Sequence, residues 1–220
     1  MRLAKECLDV GLYTDRYEEL RGFYVDDLGL PYEELLKAGR GIHQHRLGLR
    51  GSVLKLNSSR EPLADAPTNF RELDIAADHH RAAADPDGTK VALTPDVDAI
   101  AIHWASSDPA RLGDLLHRGF DAVAEGDASW RVGTTRLVLH SGGTAMGPLR
   151  SRGFRYLTVQ VWDVHREHTN LLDTGWRELT APVRLGDTAF ISFVADPDGA
   201  PIEISQRASL TGPLPDAEVT

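Results

Sequence analysis

Glu203 stands between Ile202 and Ile204, so on a strand its carboxylate projects to the face that the two isoleucines avoid. The same alternation sets His103 against Ile100 and Ile102. It sets Arg136 and His140 against Leu137 and Leu139, and Tyr156, Thr158 and Gln160 against Leu157 and Val159. A carboxylate with neutral imidazoles can hold a divalent metal, which makes Glu203, His103 and His140 one candidate ligand set. The same groups also suit metal-free chemistry, with a histidine as general base and Tyr156 polarising a carbonyl. Arg136 would then orient an anionic or enolic substrate, with Thr158 and Gln160 beside it. A plainer reading has the histidines hydrogen-bonded at strand ends and Glu203 solvated or paired with an arginine.

The first third of the chain offers Asp9, Tyr13, His43, His45, Lys55, Glu72 and Asp74. His43 and His45 share a strand face and can offer two metal ligands, with Glu72 or Asp9 completing a facial triad. Two alternate polar residues on an exposed strand are commoner than such a site. His79, His80, His165 and His168 are expected at the surface. No Gly-rich phosphate loop, nucleophile elbow or dinucleotide fingerprint occurs.

These side chains need strands to carry them, and the chain supplies the strands in copies. Phe70-Arg71-Glu72-Leu73 opens a stretch that ends in Asp85-Pro86-Asp87-Gly88, and Phe154-Arg155-Tyr156-Leu157 opens one that ends in Asp196-Pro197-Asp198-Gly199. The offset is 84 residues at the phenylalanines and 111 at the turns, so the first copy is shorter by 27. Asp-Pro-Asp-Gly suits a type I turn between antiparallel strands. Four segments follow, each beginning on a strand. The first pairs a strand at Leu8–Tyr13 with an amphipathic stripe of Tyr17, Leu20, Phe23, Tyr24 and Leu28. Strands at 42–49 and 53–57 complete it, and 58–69 reads as a linker. The second, from Phe70, is too short for a helix. The third has Asp108 as N-cap, Pro109 at the first helical position and Gly119 as the stop. The fourth has a helix over 164–173, ended by Gly175, and then three strands.

At 220 residues with net charge -9, the chain suits two small units and lacks the basic surface that nucleic acid or an anionic membrane requires. One cysteine excludes an intramolecular disulfide, and no apolar run is long enough to span a bilayer. The expected location is the cytoplasm. The expected division is a module pair at 1–95 with its second member truncated, a second pair at 96–207, and a flexible tail at 208–220.

The pattern resembles the vicinal oxygen chelate superfamily of glyoxalases, bleomycin-resistance proteins and extradiol dioxygenases. The resemblance rests on Phe23-Tyr24-Val25-Asp26-Asp27-Leu28-Gly29-Leu30-Pro31 and on the run from Phe193 to Ile204. It implies an α+β fold of tandem βαβββ modules, paired into curled mixed sheets that form open clefts, with helices on the outer face. It also implies a metal held by a His early in a module's first strand and a Glu in its last. The corresponding positions here are about Asp9, Glu72, Ala99 and Tyr156 in first strands and Lys55, Ala92, Val138 and Glu203 in last strands. Only Glu203 keeps the ligand type. The expected function is a glyoxalase- or dioxygenase-like enzyme acting on a small oxygenated molecule in the C-terminal cleft, either with one Fe, Mn, Ni or Zn ion or with none. Metal-free sequestration of a small, antibiotic-like molecule is the alternative, and homodimers are common among such modules.

Overall fold

The computed structural model of the protein describes residues 1–39 and 41–215. The first module comprises β1 (Asp9–Thr14), α1 (Tyr17–Arg21) continued by a π-helical stretch Gly22–Asp27, β2 (Tyr32–Gly39), β3 (Ile42–Leu49) and β4 (Ser52–Ser59). The second has only β5 (Phe70–Ala76), β6 (Arg81–Ala84) and β7 (Lys90–Thr94). The third runs through β8 (Ile100–Ser106), α2 (Pro109–Phe120), β9 (Val123–Ala124), β10 (Ser129–Val132) and β11 (Thr135–Ser141). The fourth comprises β12 (Gly153–Gln160), α3 (Val164–Thr174), β13 (Arg177–Leu185), β14 (Ala189–Ala195) and β15 (Pro201–Arg207), followed by a helical turn, α4 (Ala208–Thr211). Residues 216–220 of the expected tail lie outside the described residues. No described helix is long and apolar enough to cross a membrane.

The expected pairing of neighbouring modules, 1–95 and 96–207, is not the pairing found. The eight-stranded sheet runs β13-β14-β15-β12-β1-β4-β3-β2, so the fourth module joins the first. The seven-stranded sheet runs β6-β7-β5-β8-β11-β10-β9, so the second joins the third. Each joint is antiparallel, β1 against β12 and β5 against β8. The two segments that carry the chain between the sheets are clamped by one side chain. The wholly buried Arg155 donates to the carbonyls of Ala66 and Pro67 in one segment and of Gly147 and Pro148 in the other. Burial among these neutral acceptors lowers its pKa to about 10.

The faces expected to be apolar are. Ile100, Ile102, Leu137, Leu139, Leu157, Val159, Ile202 and Ile204 belong to one core cluster that reaches both sheets, and Phe70 stacks on Phe154 between them at 4.6 Å. Each such side chain contributes about 1.5–3 kcal/mol. Asp108 and Asp163 cap α2 and α3 by accepting the backbone N–H of Arg111 and Arg166. Both Asp-Pro-Asp-Gly turns join antiparallel strands, with Gly88 and Gly199 at positive φ.

Three local expectations fail. β2 is an additional strand, exposed along most of its length, with no alternation to announce it. Gly119 does not end α2, which continues to Phe120 and stops at the left-handed Asp121. Gly119 instead allows a close approach, since a Cβ there would lie 2.7 Å from Leu171 and 2.8 Å from Trp176. His168 is buried on α3, with Nε2 2.8 Å from Glu178.

Candidate functional site

Because the first and fourth modules share a sheet, β1, β3, β4, β12 and β15 present one concave face. Their odd-even alternation commits Val10, Leu12, Leu54, Leu56, Leu157, Val159, Ile202 and Ile204 to the core. Asp9, Lys55, Asn57, Tyr156, Thr158, Gln160 and Glu203 are left on the other side. The Lys55 ammonium donates to Glu203 Oε2 at 2.8 Å and to Thr158 Oγ1 at 2.7 Å, and the Thr158 hydroxyl donates to the same Glu203 oxygen at 2.6 Å. Both bonds converge on Oε2, so among the described residues Glu203 Oε1 has no bonded donor. Lys55 is 3 % exposed and Glu203 8 %. Such a pair costs several kcal/mol per ion in desolvation, so burial is poor evidence that it is there for stability.

Asp9 is wholly buried beside this pair. Its Oδ1 accepts from Lys5 Nζ at 2.6 Å and from the Val53 N–H at 3.0 Å, and its Oδ2 accepts from the Gln160 amide at 3.0 Å. Burial alone would raise its pKa, but the ammonium groups of Lys55 and Lys5, with the hydrogen bonds from Lys5 and Gln160, hold it below the ordinary carboxylate value. Tyr156 lies over the bare backbone of Gly11 and accepts at its hydroxyl from Asn57 Nδ2, 3.0 Å away. Burial raises its pKa well above the usual phenol value. Tyr13 sits on the same face, its ring 6.1 Å from that of Tyr156.

A cavity of about 500 Å³ opens over Lys55 and Glu203, walled by Gln44, Arg46, Gln160, Ile191 and Arg207. A second cavity, of about 620 Å³, adjoins it and shares Arg46, Gln160 and Arg207 as lining.

The expected metal set is not assembled. Glu203 belongs to the eight-stranded sheet, whereas His103 on β8 and His140 on β11 belong to the seven-stranded one. At Glu203 the carboxylate already faces an ammonium, and a divalent cation there would be repelled by it. Among the described residues no cluster of three His, Cys, Asp or Glu side chains has metal-binding geometry. The donors around Glu203, an ammonium among them, do not fit a divalent metal.

His103 and His140 do meet each other. His103 Nε2 lies 3.0 Å from Asp74 Oδ2, and its Nδ1 lies 2.8 Å from His140 Nε2. The Asp74 hydrogen bond raises the His103 pKa against an opposing effect of burial. Burial and the charge of His103 lower that of His140. Glu72 lies opposite His103 in the ladder and shares a shallow hollow with it and Asp74. Arg136 does not join them, reaching instead towards Glu125 and the Asp96 carbonyl. His43 and His45 share a face, as expected, but the wrong one. His45 stacks on Tyr17 of α1 at 3.7 Å, on the side opposite Gln44 and Arg46.

Sequence reasoning passed over Gln44, Asn57, Arg46 and Arg207, and it offered Asp9 and Lys55 only among the N-terminal candidates, apart from Glu203. A signal existed for Lys55, a lone charge inside the apolar run Val53-Leu54-Lys55-Leu56. None existed for Arg207, whose relevance depends on which modules pair.

The fold has known counterparts. Glyoxalase I from Zea mays superposes with a TM-score of 0.77 at 15% identity, over 93% of this chain and 92% of that one. The cppA protein from Streptococcus pneumoniae TIGR4 gives a TM-score of 0.55 at 10% identity, over 94% and 100%. Such identities establish shared architecture alone. No curated protein matches the sequence. The sequence profile that does match, over residues 8–204, describes the Glyoxalase/Bleomycin resistance protein/Dioxygenase superfamily, and the chain belongs to that superfamily.

Proposed function

We propose that the concave face of the eight-stranded sheet binds a small oxygenated organic molecule without a metal, and that the Lys55 ammonium provides the positive charge its oxygen requires. One observation carries this reading: Lys55 Nζ stands 2.8 Å from Glu203 Oε2 under the cavity, at the last-strand position that in the family carries the carboxylate facing the metal. An ammonium stabilises an enolate or phenolate oxygen by charge and by hydrogen bonds. A second reading, that the site also moves a proton, is favoured by Glu203 itself. Its Oε2 is engaged by two donors and its Oε1 is left for a ligand, as a general base requires.

The test is ligand binding by calorimetry with catechol and with 2-hydroxy acids, before and after exhaustive chelation, alongside metal analysis of the purified protein. The expected result is binding that survives chelation and falls at least about tenfold in Lys55→Met, the loss of one charged hydrogen-bond donor. Binding that needs one equivalent of metal per chain, and disappears with it, would refute the reading. The second reading predicts loss of proton exchange into solvent, with retained binding, in Glu203→Gln.

A further inference from the structure

Where the two cavities adjoin, both share Arg46 of β3 and Arg207 of β15 as lining. Both guanidinium groups are directed to a single carboxylate oxygen. Glu34 Oε1 lies 3.1 Å from Arg46 Nε and also accepts from Arg207 Nη2. The two arginine side chains are 8 % and 15 % exposed, but Glu34 is 40 % exposed. It comes from β2, which among the described residues is an edge strand paired only with β3. A carboxylate on the rim thus reaches across the cleft to the far side of the sheet, to a residue 173 positions away.

The ladder makes this arrangement costly. Arg46 is directly opposite Lys55 in the β3–β4 register, and like charges facing each other destabilise a sheet. Two opposed cations on a concave face are compensated there by anions, Glu203 and Asp9 for Lys55 and Glu34 for Arg46. Gln160 lies among them, buried, with its amide donating to Asp9 and its Oε1 without a donor among the described residues. Bonding potential is therefore unmet at the point where the seat is lined by arginines.

Resting on the reading of this cleft as a small-molecule site, we propose that Arg46 and Arg207 form the seat for a ligand carboxylate, and that Glu34 fills the seat until a ligand displaces it. The preferred ligand is an organic acid with a hydroxyl beside its carboxylate. The acid group takes the two arginines in a charge-assisted fork, and the neighbouring hydroxyl lies within the region shared by Gln160 and Lys55. Glu34 thereby selects for acids, because a neutral molecule has no means of replacing it between two guanidinium groups.

Calorimetric titration with salicylate, salicylamide and catechol tests this in the whole protein. Glu34→Gln, which keeps the side chain's size at a half-buried position, should tighten salicylate about tenfold by removing the internal competitor. Salicylamide and catechol should change by less than about twofold. Arg207→Gln should abolish the gain. Glu34→Ala provides a second route to the same vacancy, and thermal unfolding of each variant verifies that it is folded. An unchanged or weaker salicylate affinity in both Glu34 variants, or an equal gain for salicylamide, overturns the proposal, as does absence of salicylate binding to every variant. Catechol separates the two layers of the argument. If catechol binds and salicylate ignores Glu34, the carboxylate seat alone fails. If neither binds any variant, the reading of the cleft fails with it.

Discussion

Lys55 and Glu203 are separated by 148 residues, lie on the fourth strand of the first module and the last strand of the fourth, and share a proton-donating contact of 2.8 Å. Their meeting depends on the first and last modules sharing a sheet, and it places a mobile, strongly hydrated type of cation where it is stripped of water. Removing one partner strands the other. Lys55→Met leaves a buried carboxylate with only the Thr158 hydroxyl, and such losses cost about 3–5 kcal/mol. Glu203→Gln alone should also destabilise, because the ammonium then loses its hydrogen-bonded counter-charge and keeps only Asp9 to compensate it. The double variant should be far less damaging than the sum of the two. Urea unfolding of the four proteins measures the coupling. Additive losses would mean that the two charges do not depend on each other.

Gly11 and Tyr156 are a second dependent pair. A Cβ at residue 11 would fall 2.1 Å from the Tyr156 Cε1, and a ring cannot yield as a flexible chain end would. The neighbouring register shift between Gly11 and Leu12 shows that β1 already bends at this point against β12. Gly11→Ala should therefore displace the ring, break the Asn57 hydrogen bond to its hydroxyl, and destabilise by about 1–3 kcal/mol. In a Tyr156→Ala background, itself less stable, Gly11→Ala should cost less than it does beside the ring. Thermal unfolding of the single and double variants decides it, and a neutral Gly11→Ala would show that the site tolerates a moved tyrosine.

The His103–Asp74 contact predicts a pH dependence with a definite sign. The hydrogen bond to Asp74 raises the His103 pKa above the ordinary imidazole value, with burial opposing it. A folded-state pKa above the unfolded one adds stability that is fully present below about pH 6.5. That contribution fades as pH climbs through the folded value. Asp74→Asn should lower the His103 midpoint and flatten the stability profile across this window. His140 should titrate at lower pH than His103, since burial and the neighbouring imidazolium both lower its pKa. Proton NMR of the two imidazole C2–H resonances follows both. A His103 midpoint unmoved by Asp74→Asn would remove the hydrogen bond as the cause.

Much of this was legible because strand alternation is a local rule. Ile202-Glu203-Ile204 fixes which way Glu203 points regardless of its neighbours, and Leu157 and Val159 do the same for Thr158. Alternation cannot say which sheet a strand joins, and the candidate ligand set failed there: His103 and Glu203 were each correctly faced and sit on different sheets. The information that decides the pairing is spread over long-range contacts such as the four carbonyls that Arg155 gathers from two connecting segments. His43 and His45 show the remaining weakness. Their shared face followed from spacing, but which face met α1 depended on Leu47 entering the core. Lys55 was legible as an anomaly, a charge in an apolar strand, and became meaningful only beside Glu203.

Asp9 carries the last prediction. It stands at about the first-strand position where the resemblance implies a histidine ligand, and here it is a wholly buried carboxylate that receives three donors. Although burial acts to raise its pKa, Lys55, Lys5 and Gln160 prevail and lower it below 3.8. A carboxylate whose folded pKa is lowered contributes stability that is present above the unfolded value and lost as pH falls through the folded one. Acid should therefore loosen the β1 joint of the eight-stranded sheet only once pH falls below the ordinary carboxylate range. Asp9→Asn removes the charge while keeping the shape, and should weaken the protein at neutral pH and flatten its dependence on pH below about 4. The Asn variant also leaves Lys5 and Lys55 with less compensation, so its deficit should shrink when Lys5 is changed to Met. Unfolding curves of both variants from pH 3 to 7 provide the measurement, and an unaltered acid slope in Asp9→Asn would show that Asp9 is not the group being titrated.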